Sequence, residues 1–357
     1  MAGSKYEYVR SFEQPDALLP ATYVVIRVDG HGFTRFTAEH GWAKPTDARG
    51  VSLMTAAALD VLREWGDVVF AYGQSDEYSF LLPPRAAVFG RRAAKLATGV
   101  ASLFAAAFVL HWPRYFPTVP LQRAPAFDGR CVCYPRATHA CDYLRWRQVD
   151  THINALYNEC FWALVQRGGA SPAQAHERLK GTLSDAKHEL LHGTFGLNFA
   201  ALPAAYKRGT TLLRVARAKG GGGGGGSGRE AAGGSGSGSA EAAGGGGGAA
   251  VAAAAAAAAA SAAAAAAAAT DATAGAEADA APAEPAATAP LPPPPSTRES
   301  SRLEGSSGGS VPALPLPEGH PPLPPFRLPP NVQLLHTDYL AAPNKGFLEG
   351  VLEAYEA

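Results

Sequence analysis

From residue 218 to about 330 the chain is dominated by Gly, Ala, Ser and Pro. It holds a Gly tract at 220–226, Ala tracts at 252–260 and 262–269, and a Pro-rich run over 282–330. Such a composition offers too little apolar surface to offset the entropy of ordering, so a disordered insertion is expected over 218–330. The Ala tracts are long enough to suggest a membrane span. Ala is only weakly apolar, however, and no Leu, Ile, Phe or aromatic anchor accompanies these tracts, so no span is expected. Folded material is therefore expected in 1–217 and in a short return near the C-terminus, enough for a substantial core.

That division also sorts the charge. The whole chain is formally neutral, yet residues 1–217 carry 25 Lys and Arg against 18 Asp and Glu. The remainder carries 6 against 13. A moderately basic folded part suits a polyanionic partner such as nucleic acid, and equally an ordinary basic enzyme surface. Four cysteines do not make a disulfide framework in a chain of 357 residues, and none is spaced as Cys-x-x-Cys. The first ten residues include an acid, Glu7, and no apolar run, so no secretory or transit signal is read and a cytoplasmic or nuclear location is expected.

Residues 22–28 are β-branched and apolar apart from Arg27, a buried strand that ends at Asp29-Gly30. Val51, Met54, Ala58, Val61, Leu62 and Trp65 share one helical face, giving an amphipathic helix over 47–65. Strands over 67–72 and 77–82 follow, joined by Gly73-Gln74-Ser75-Asp76 as a hairpin. A helix over 86–112 and a strand over 130–134 complete the order strand, helix, strand, strand, helix, strand. This order matches a ferredoxin-like, polymerase-palm α+β sheet, antiparallel with helices on one face. Helices are expected over 142–167, 172–180 and 184–192 as an appended region, then a strand over 210–215. Order is expected to resume at 332–339.

Asp29 and Asp76 fall at neighbouring strand ends in this scheme. Magnesium prefers oxygen ligands and keeps several waters, so two carboxylates, the Gly30 carbonyl and substrate phosphates would suffice to hold it. A pair of such ions could activate a hydroxyl and stabilise a leaving oxygen. The same residues also suit a turn cap and a hairpin Asp bonded to its own backbone. Glu77 follows on the strand with its side chain expected on the opposite face, as a catalytic group or as a support for Arg or Lys from behind. The backbone amides of Gly30, His31, Gly32, Phe33 and Thr34 could cradle a triphosphate. Arg91, Arg92 and Lys95 crowd a helix start, where cations are unfavourable unless an anion joins them. Lys44 is a further phosphate candidate. His152, Asn154, Tyr157 and Asn158 could address an RNA end from one helix, or form its partly buried polar side. Cys131, Cys133, His139 and Cys141 lack a familiar zinc spacing and read as buried thiols.

The chain resembles the tRNA-His guanylyltransferase family, the 3′–5′ polymerases. The likeness rests on Lys5-Tyr-Glu-Tyr-Val9, Arg27-Val-Asp-Gly30, Lys44-Pro45 and the string Ala71-Tyr-Gly-Gln-Ser-Asp-Glu-Tyr-Ser-Phe80. It continues through Phe127-Asp-Gly-Arg130, His152–Asn158, Arg178-Leu-Lys-Gly-Thr182 and Tyr206-Lys-Arg-Gly-Thr210. It covers about 1–216 and again 332–355. The resemblance implies a palm-like catalytic domain over 1–135 and a helical tRNA-interacting region over 136–217. A C-terminal return over 331–357 completes the fold. It further implies two Mg²⁺ ions on Asp29, Gly30 and Asp76, with nucleotide contacts from residues 29–34, Ser75 and Asp76. Lys44, Arg92 and Lys95 match phosphate-binding positions, and His152 and Lys187 match positions tied to tRNA handling. The implied substrates are ATP, GTP and tRNA-His, and the implied assembly is a homotetramer of paired dimers. A palm-fold nucleotide cyclase and a non-catalytic tRNA-binding protein are the alternatives. Thr46, Ala155, His188, Cys131 and Cys133 depart from the family pattern, and Ala155 and His188 bear on tRNA specificity.

Overall fold

The computed structural model describes residues 4–215, 322–323, 325–329, 331–341, 344 and 346–355. Within them β1 (Tyr23–Gly30), β2 (Phe70–Gln74), β3 (Glu77–Leu82), β4 (Phe127–Tyr134), β5 (Thr210–Arg214) and β6 (Val332–Leu335) form one sheet in the order β4-β1-β3-β2-β5-β6. Every neighbouring pair is antiparallel. The first four strands hold the 4-1-3-2 arrangement that the strand-helix pattern predicts, and β5 and β6 widen the sheet on the β2 side.

Alternation along β1 shows how the sheet is covered. Val24, Ile26 and Val28 face one core, with α2 (Ala48–Glu64) and α3 (Ala93–Tyr115) packed over them through Leu53, Leu62, Phe104 and Phe108. Tyr23 and Val25 face the other, against Tyr143 and Leu144 of α4 (Ala137–Gln166). The C-terminal return reaches this second core with Tyr339, Leu348 and Leu352. The palm-type helices thus occupy one face and the appended helix the other. α3 is long and apolar enough to cross a membrane by length and composition. It nonetheless buries Leu96, Val100, Phe104, Phe108 and Trp112 in the sheet core.

Beyond the sheet, α4 gathers α5 (Pro172–Leu179), α6 (Ser184–Glu189) and a π-helical turn at Leu190–Thr194 around Leu156, Cys160 and Leu164. A short α7 (Ala204–Arg208) leads into β5. Ser171 caps α5 with a full capping box to Gln174.

Several boundaries differ from expectation. Helix α1 (Phe33–Glu39), not expected from the sequence, begins inside the Gly-rich stretch 30–34. β2 begins at Phe70 rather than 67, and the hairpin turn shrinks to Ser75-Asp76. α3 starts at Ala93, after a short 3-10 turn over Val88–Arg91, and α4 starts at Ala137. The insertion expected over 218–330 lies outside the described residues except for its last stretch, and there the boundary is corrected. Leu323, Phe326 and Leu328 pack on the α2–α3 core. Arg114 Nη2 donates to the Pro325 carbonyl at 2.8 Å and Arg63 Nη2 to that of Arg327 at 2.5 Å.

Candidate active site

Two strand ends meet where β1 stops. Asp29 pairs with Glu77 across β1 and β3, and the Gly30 N–H donates to the Asp76 carbonyl at 3.0 Å. The two-residue turn requires Ser75 to take a left-handed φ of 49°, a conformation that non-glycine residues seldom adopt. Gly30 is equally constrained. A Cβ there would lie 2.3 Å from the Phe33 ring, so only glycine lets α1 fold back against the strand end.

Asp76 carries the clearest electrostatic signature. Burial and the adjacent Asp29 carboxylate raise its pKa to about 6, while Ser75 and Lys44 act in the opposite sense. Two carboxylates held side by side repel one another, and a divalent cation with oxygen preference relieves that repulsion. Asp29 Oδ2 accepts from Arg27 Nη2 at 3.0 Å, and its side chain remains a third exposed. The hard-oxygen donor set therefore fits magnesium. Among the described residues no group of three or more His, Cys, Asp and Glu side chains could hold a metal by itself, so the rest of any coordination shell would come from backbone, substrate and water.

Glu77 stands opposite Asp29 in the β1–β3 ladder, so the two share one face of the sheet, where Arg27 reaches both. Its Oε1 lies 2.9 Å from Arg147 Nε and its Oε2 3.6 Å from Arg27 Nε, with all three side chains largely buried. Arg147 also pairs with Asp150 at 2.5 Å. Both Glu77 oxygens are thus committed to arginines, an arrangement that orients Arg27 and braces α4 against the sheet.

Asp76 and Ser75 open onto a cleft of about 530 Å³. α1 lines one wall through Phe33, Thr34 and Thr37, and the loop Trp42–Asp47 lines the next. α4 supplies Thr151, Asn154, Tyr157 and Asn158 and the aromatic pair Phe161 and Trp162; His176 and Tyr206 close the far end. Tyr157 Oη bonds His176 Nδ1 at 2.5 Å, fixing two rings of that wall. Lys44 projects into the cleft with Nζ donating to Thr37 Oγ1 at 2.9 Å, and burial lowers its pKa. Asp47 holds this loop: it caps α2, accepts from the Ala43 amide at 2.8 Å and grips Arg49.

The expected cradle is narrower than the sequence suggested. The Gly30 amide serves Asp76, and the His31 amide donates to the Ala126 carbonyl at 2.8 Å. The first α1 bond runs from Phe36 N–H to the Gly32 carbonyl, so the amides of Phe33 and Thr34 precede it at the helix start. Gly32, with φ of 66°, makes that entry.

Other candidates lie elsewhere. Arg91 is buried, donating to Ala86 and Thr22. Arg92 is the N-cap of α3 and pairs with Asp16 and Glu13, each at 2.7 Å, so the anion its position calls for is supplied by the chain itself. Lys95 Nζ sits 5.9 Å from the Phe89 ring centre. Neither Arg92 nor Lys95 lines the cleft. His152 lies on α4 beside Phe199, with centroids 5.4 Å apart, and Lys187 Nζ donates to the Thr182 carbonyl at 2.6 Å. Cys141 and Cys160 are buried, Cys131 and Cys133 partly so, all as free thiols. The contributions of Phe161, Trp162, His176 and Tyr206 carry no local signal and emerge only when α5 and α7 fold against α4.

The sequence and fold have known relatives. A family described as tRNAHis guanylyltransferase matches residues 6–135, and its C-terminal domain matches 138–240. A probable tRNA(His) guanylyltransferase of Dictyostelium discoideum is 50% identical over 214 residues, covering 60% of this chain and 84% of that protein. The chain belongs to the tRNA(His) guanylyltransferase family. The Schizosaccharomyces pombe tRNA(His) guanylyltransferase agrees, at 50% identity over 60% of this chain and 82% of its own. The crystal structure of the Saccharomyces cerevisiae tRNA(His) guanylyltransferase superimposes with a TM-score of 0.57 at 41% identity, covering 59% of this chain and 93% of that one. Membership makes this chain a nucleotidyltransferase, and the likeness of fold supports the α+β, palm-like reading of the sheet.

Proposed function

We propose that this chain adds a guanylate to the 5′ end of tRNA-His, with Asp29 and Asp76 as the acidic pair around which the reaction is built. The observation that carries this reading is that Asp76 lines a cleft large enough for a nucleotide while the Asp29 strand end, joined to it through the Gly30 amide, brings a second carboxylate close enough to raise its pKa. In the proposed sequence, ATP transfers AMP to the tRNA 5′-monophosphate with loss of pyrophosphate. The 3′-hydroxyl of GTP then attacks that activated phosphate and displaces AMP, and pyrophosphate is finally removed from the new 5′ end.

The chain's own groups support these roles. Lys44, already in the cleft, neutralises triphosphate charge, and the α1 amides of Phe33 and Thr34 add donors beside it. Arg27 and the buried Glu77–Arg147 pair hold β1, β3 and α4 in register, so that the carboxylates and the α4 face keep a fixed separation. The rings of Phe161, Trp162 and His176 offer faces for a base, and Asn154 and Asn158 offer amides to the RNA end. Two magnesium ions bound with Asp29, Gly30 and Asp76 would supply Lewis-acid activation of the attacking hydroxyl and charge neutralisation at the leaving oxygen. His152 and Lys187 belong to tRNA handling in this reading, and assembly as a dimer of dimers is part of it.

The test is incubation of 5′-monophosphorylated tRNA-His with magnesium, ATP and labelled GTP. Label is expected at the tRNA 5′ end and is expected to vanish in Asp29→Ala and Asp76→Ala. An unlabelled tRNA with the wild-type chain removes the proposal, and a cyclic nucleotide product would replace it with cyclase chemistry.

A further inference from the structure

The C-terminal return does more than close the second core. It is stitched to α4 through Gln148, whose side chain is fully buried. Gln148 Nε2 donates to the carbonyls of Arg208 at 3.0 Å and Thr337 at 2.9 Å, and Oε1 accepts from the Tyr339 amide at 2.6 Å. Tyr72 Oη, on β2, donates to the same Arg208 carbonyl at 2.7 Å. Sheet, α4, α7 and the return therefore meet at one residue, Arg208.

The Arg208 side chain links two of them again. Nη2 lies 2.7 Å from Asp338 Oδ2, and Nη1 lies 3.2 Å from His152 Nδ1. A guanidinium has donors only and keeps its charge, so a hydrogen bond between these atoms needs an unprotonated Nδ1. The imidazole is then neutral, with its proton on Nε2. We propose that Asp338 is a positioning residue: it anchors Arg208, and Arg208 holds His152 as the neutral Nε2–H tautomer, a hydrogen-bond donor for RNA on α4. The RNA part rests on the function proposed above. The tautomer part does not.

The surroundings agree. His152 packs edge-on against Phe199, which His188 approaches from its own side at 5.5 Å. Burial is the largest influence lowering the His152 pKa, followed by Arg208 and His188; Lys207 acts in the same sense and Asp338 opposes them. Asp338 Oδ1 accepts from the Leu340 amide at 3.0 Å, so Asp338→Asn can keep the local turn while losing the charge that holds Arg208.

The experiment uses the full chain labelled with ¹⁵N-histidine and a long-range ¹H–¹⁵N correlation spectrum, with the His152 signal assigned by its loss in His152→Gln. The expected wild-type pattern is the Nε2–H tautomer. Asp338→Asn and Arg208→Gln are expected to give a tautomer mixture, with Asp338→Glu restoring the wild-type pattern. In equilibrium binding, both disrupting variants should weaken 5′-monophosphorylated tRNA-His about tenfold, the loss of one charge-supported hydrogen bond, and leave the KM for GTP unchanged. A wild-type His152 signal in both variants overturns the proposal, as does an Nδ1–H pattern in the wild type. The spectrum needs no substrate, so a correct tautomer in a chain that binds no tRNA overturns the functional reading and its RNA role while the Asp338–Arg208–His152 wiring stands.

Discussion

Glu77 shows what a single side chain contributes here. It lies between two arginines in a poorly solvated layer, and removing its charge leaves Arg27 and Arg147 without that partner. Glu77→Gln is expected to cost only about 1 kcal/mol of stability, read by urea denaturation, because Arg27 keeps Asp29 and Arg147 keeps Asp150. Glu159 is a second case, half-buried on α4. Burial raises its pKa from the ordinary glutamate value of 4.5 to about 7, against the pull of Arg167. The folded state therefore keeps a proton that the unfolded chain releases, so stability falls as pH rises from 4.5 toward 7 and levels off above. Glu159→Gln should remove that dependence and stabilise the chain at pH 8 by roughly 1–2 kcal/mol, measured as a difference between melting curves at pH 5 and pH 8. Neither behaviour is legible in the sequence. The Asp29-Gly30 and Ser75-Asp76 turns were, because strand ends and tight hairpins leave local signals. The partners of Glu77 and Arg92 come from other elements, and nothing in their immediate neighbourhood announces them.

At the level of elements, α2 shows how a cap reaches the cleft. Asp47 accepts from the amides of Ala43 and Arg49 and from the Arg49 guanidinium, which in turn lies over the Phe116 ring at 4.5 Å. One carboxylate thereby starts α2, folds the Trp42–Thr46 loop and sets the position of Lys44. Asp47→Ala should lower stability by about 2–4 kcal/mol, combining a lost N-cap with a broken buried ion pair, and should raise the KM for GTP. Denaturation and steady-state kinetics check the two parts separately. The amphipathic period made α2 readable almost to the residue. α1 escaped because Gly30 and Gly32 argue for a turn; its helix forms through Phe33 and Phe36, which stack at 4.9 Å and pack with Phe108. Tertiary packing there outweighed local propensity.

For the whole molecule, the long low-complexity stretch separates two strands that pair directly. Val215 N–H donates to the Asn331 carbonyl at 2.7 Å, and Arg214 lies opposite Val332, so β5 and β6 form the two arms of a hairpin. Replacing residues 218–320 with about 12 Gly and Ser residues should leave the fold and GTP incorporation intact. It should raise stability by about 1–2 kcal/mol, since loop-closure entropy grows only with the logarithm of length. Loss of folding in that deletion would show that the interruption contributes contacts of its own. Composition marks 218–330 as an insertion, but the packing of Leu323, Phe326 and Leu328 could not be read from a Pro-rich run. The proposed chemistry depends on Asp29 and Asp76 acting together on a divalent cation beside the cleft. The direct measurement is an electron paramagnetic resonance titration of Mn²⁺ with GTP present, comparing the wild type with the Asp29→Asn, Asp76→Asn double variant. The wild type is expected to take up at least one more Mn²⁺ per chain than the folded double variant; superimposable titrations would contradict a joint role for the two carboxylates.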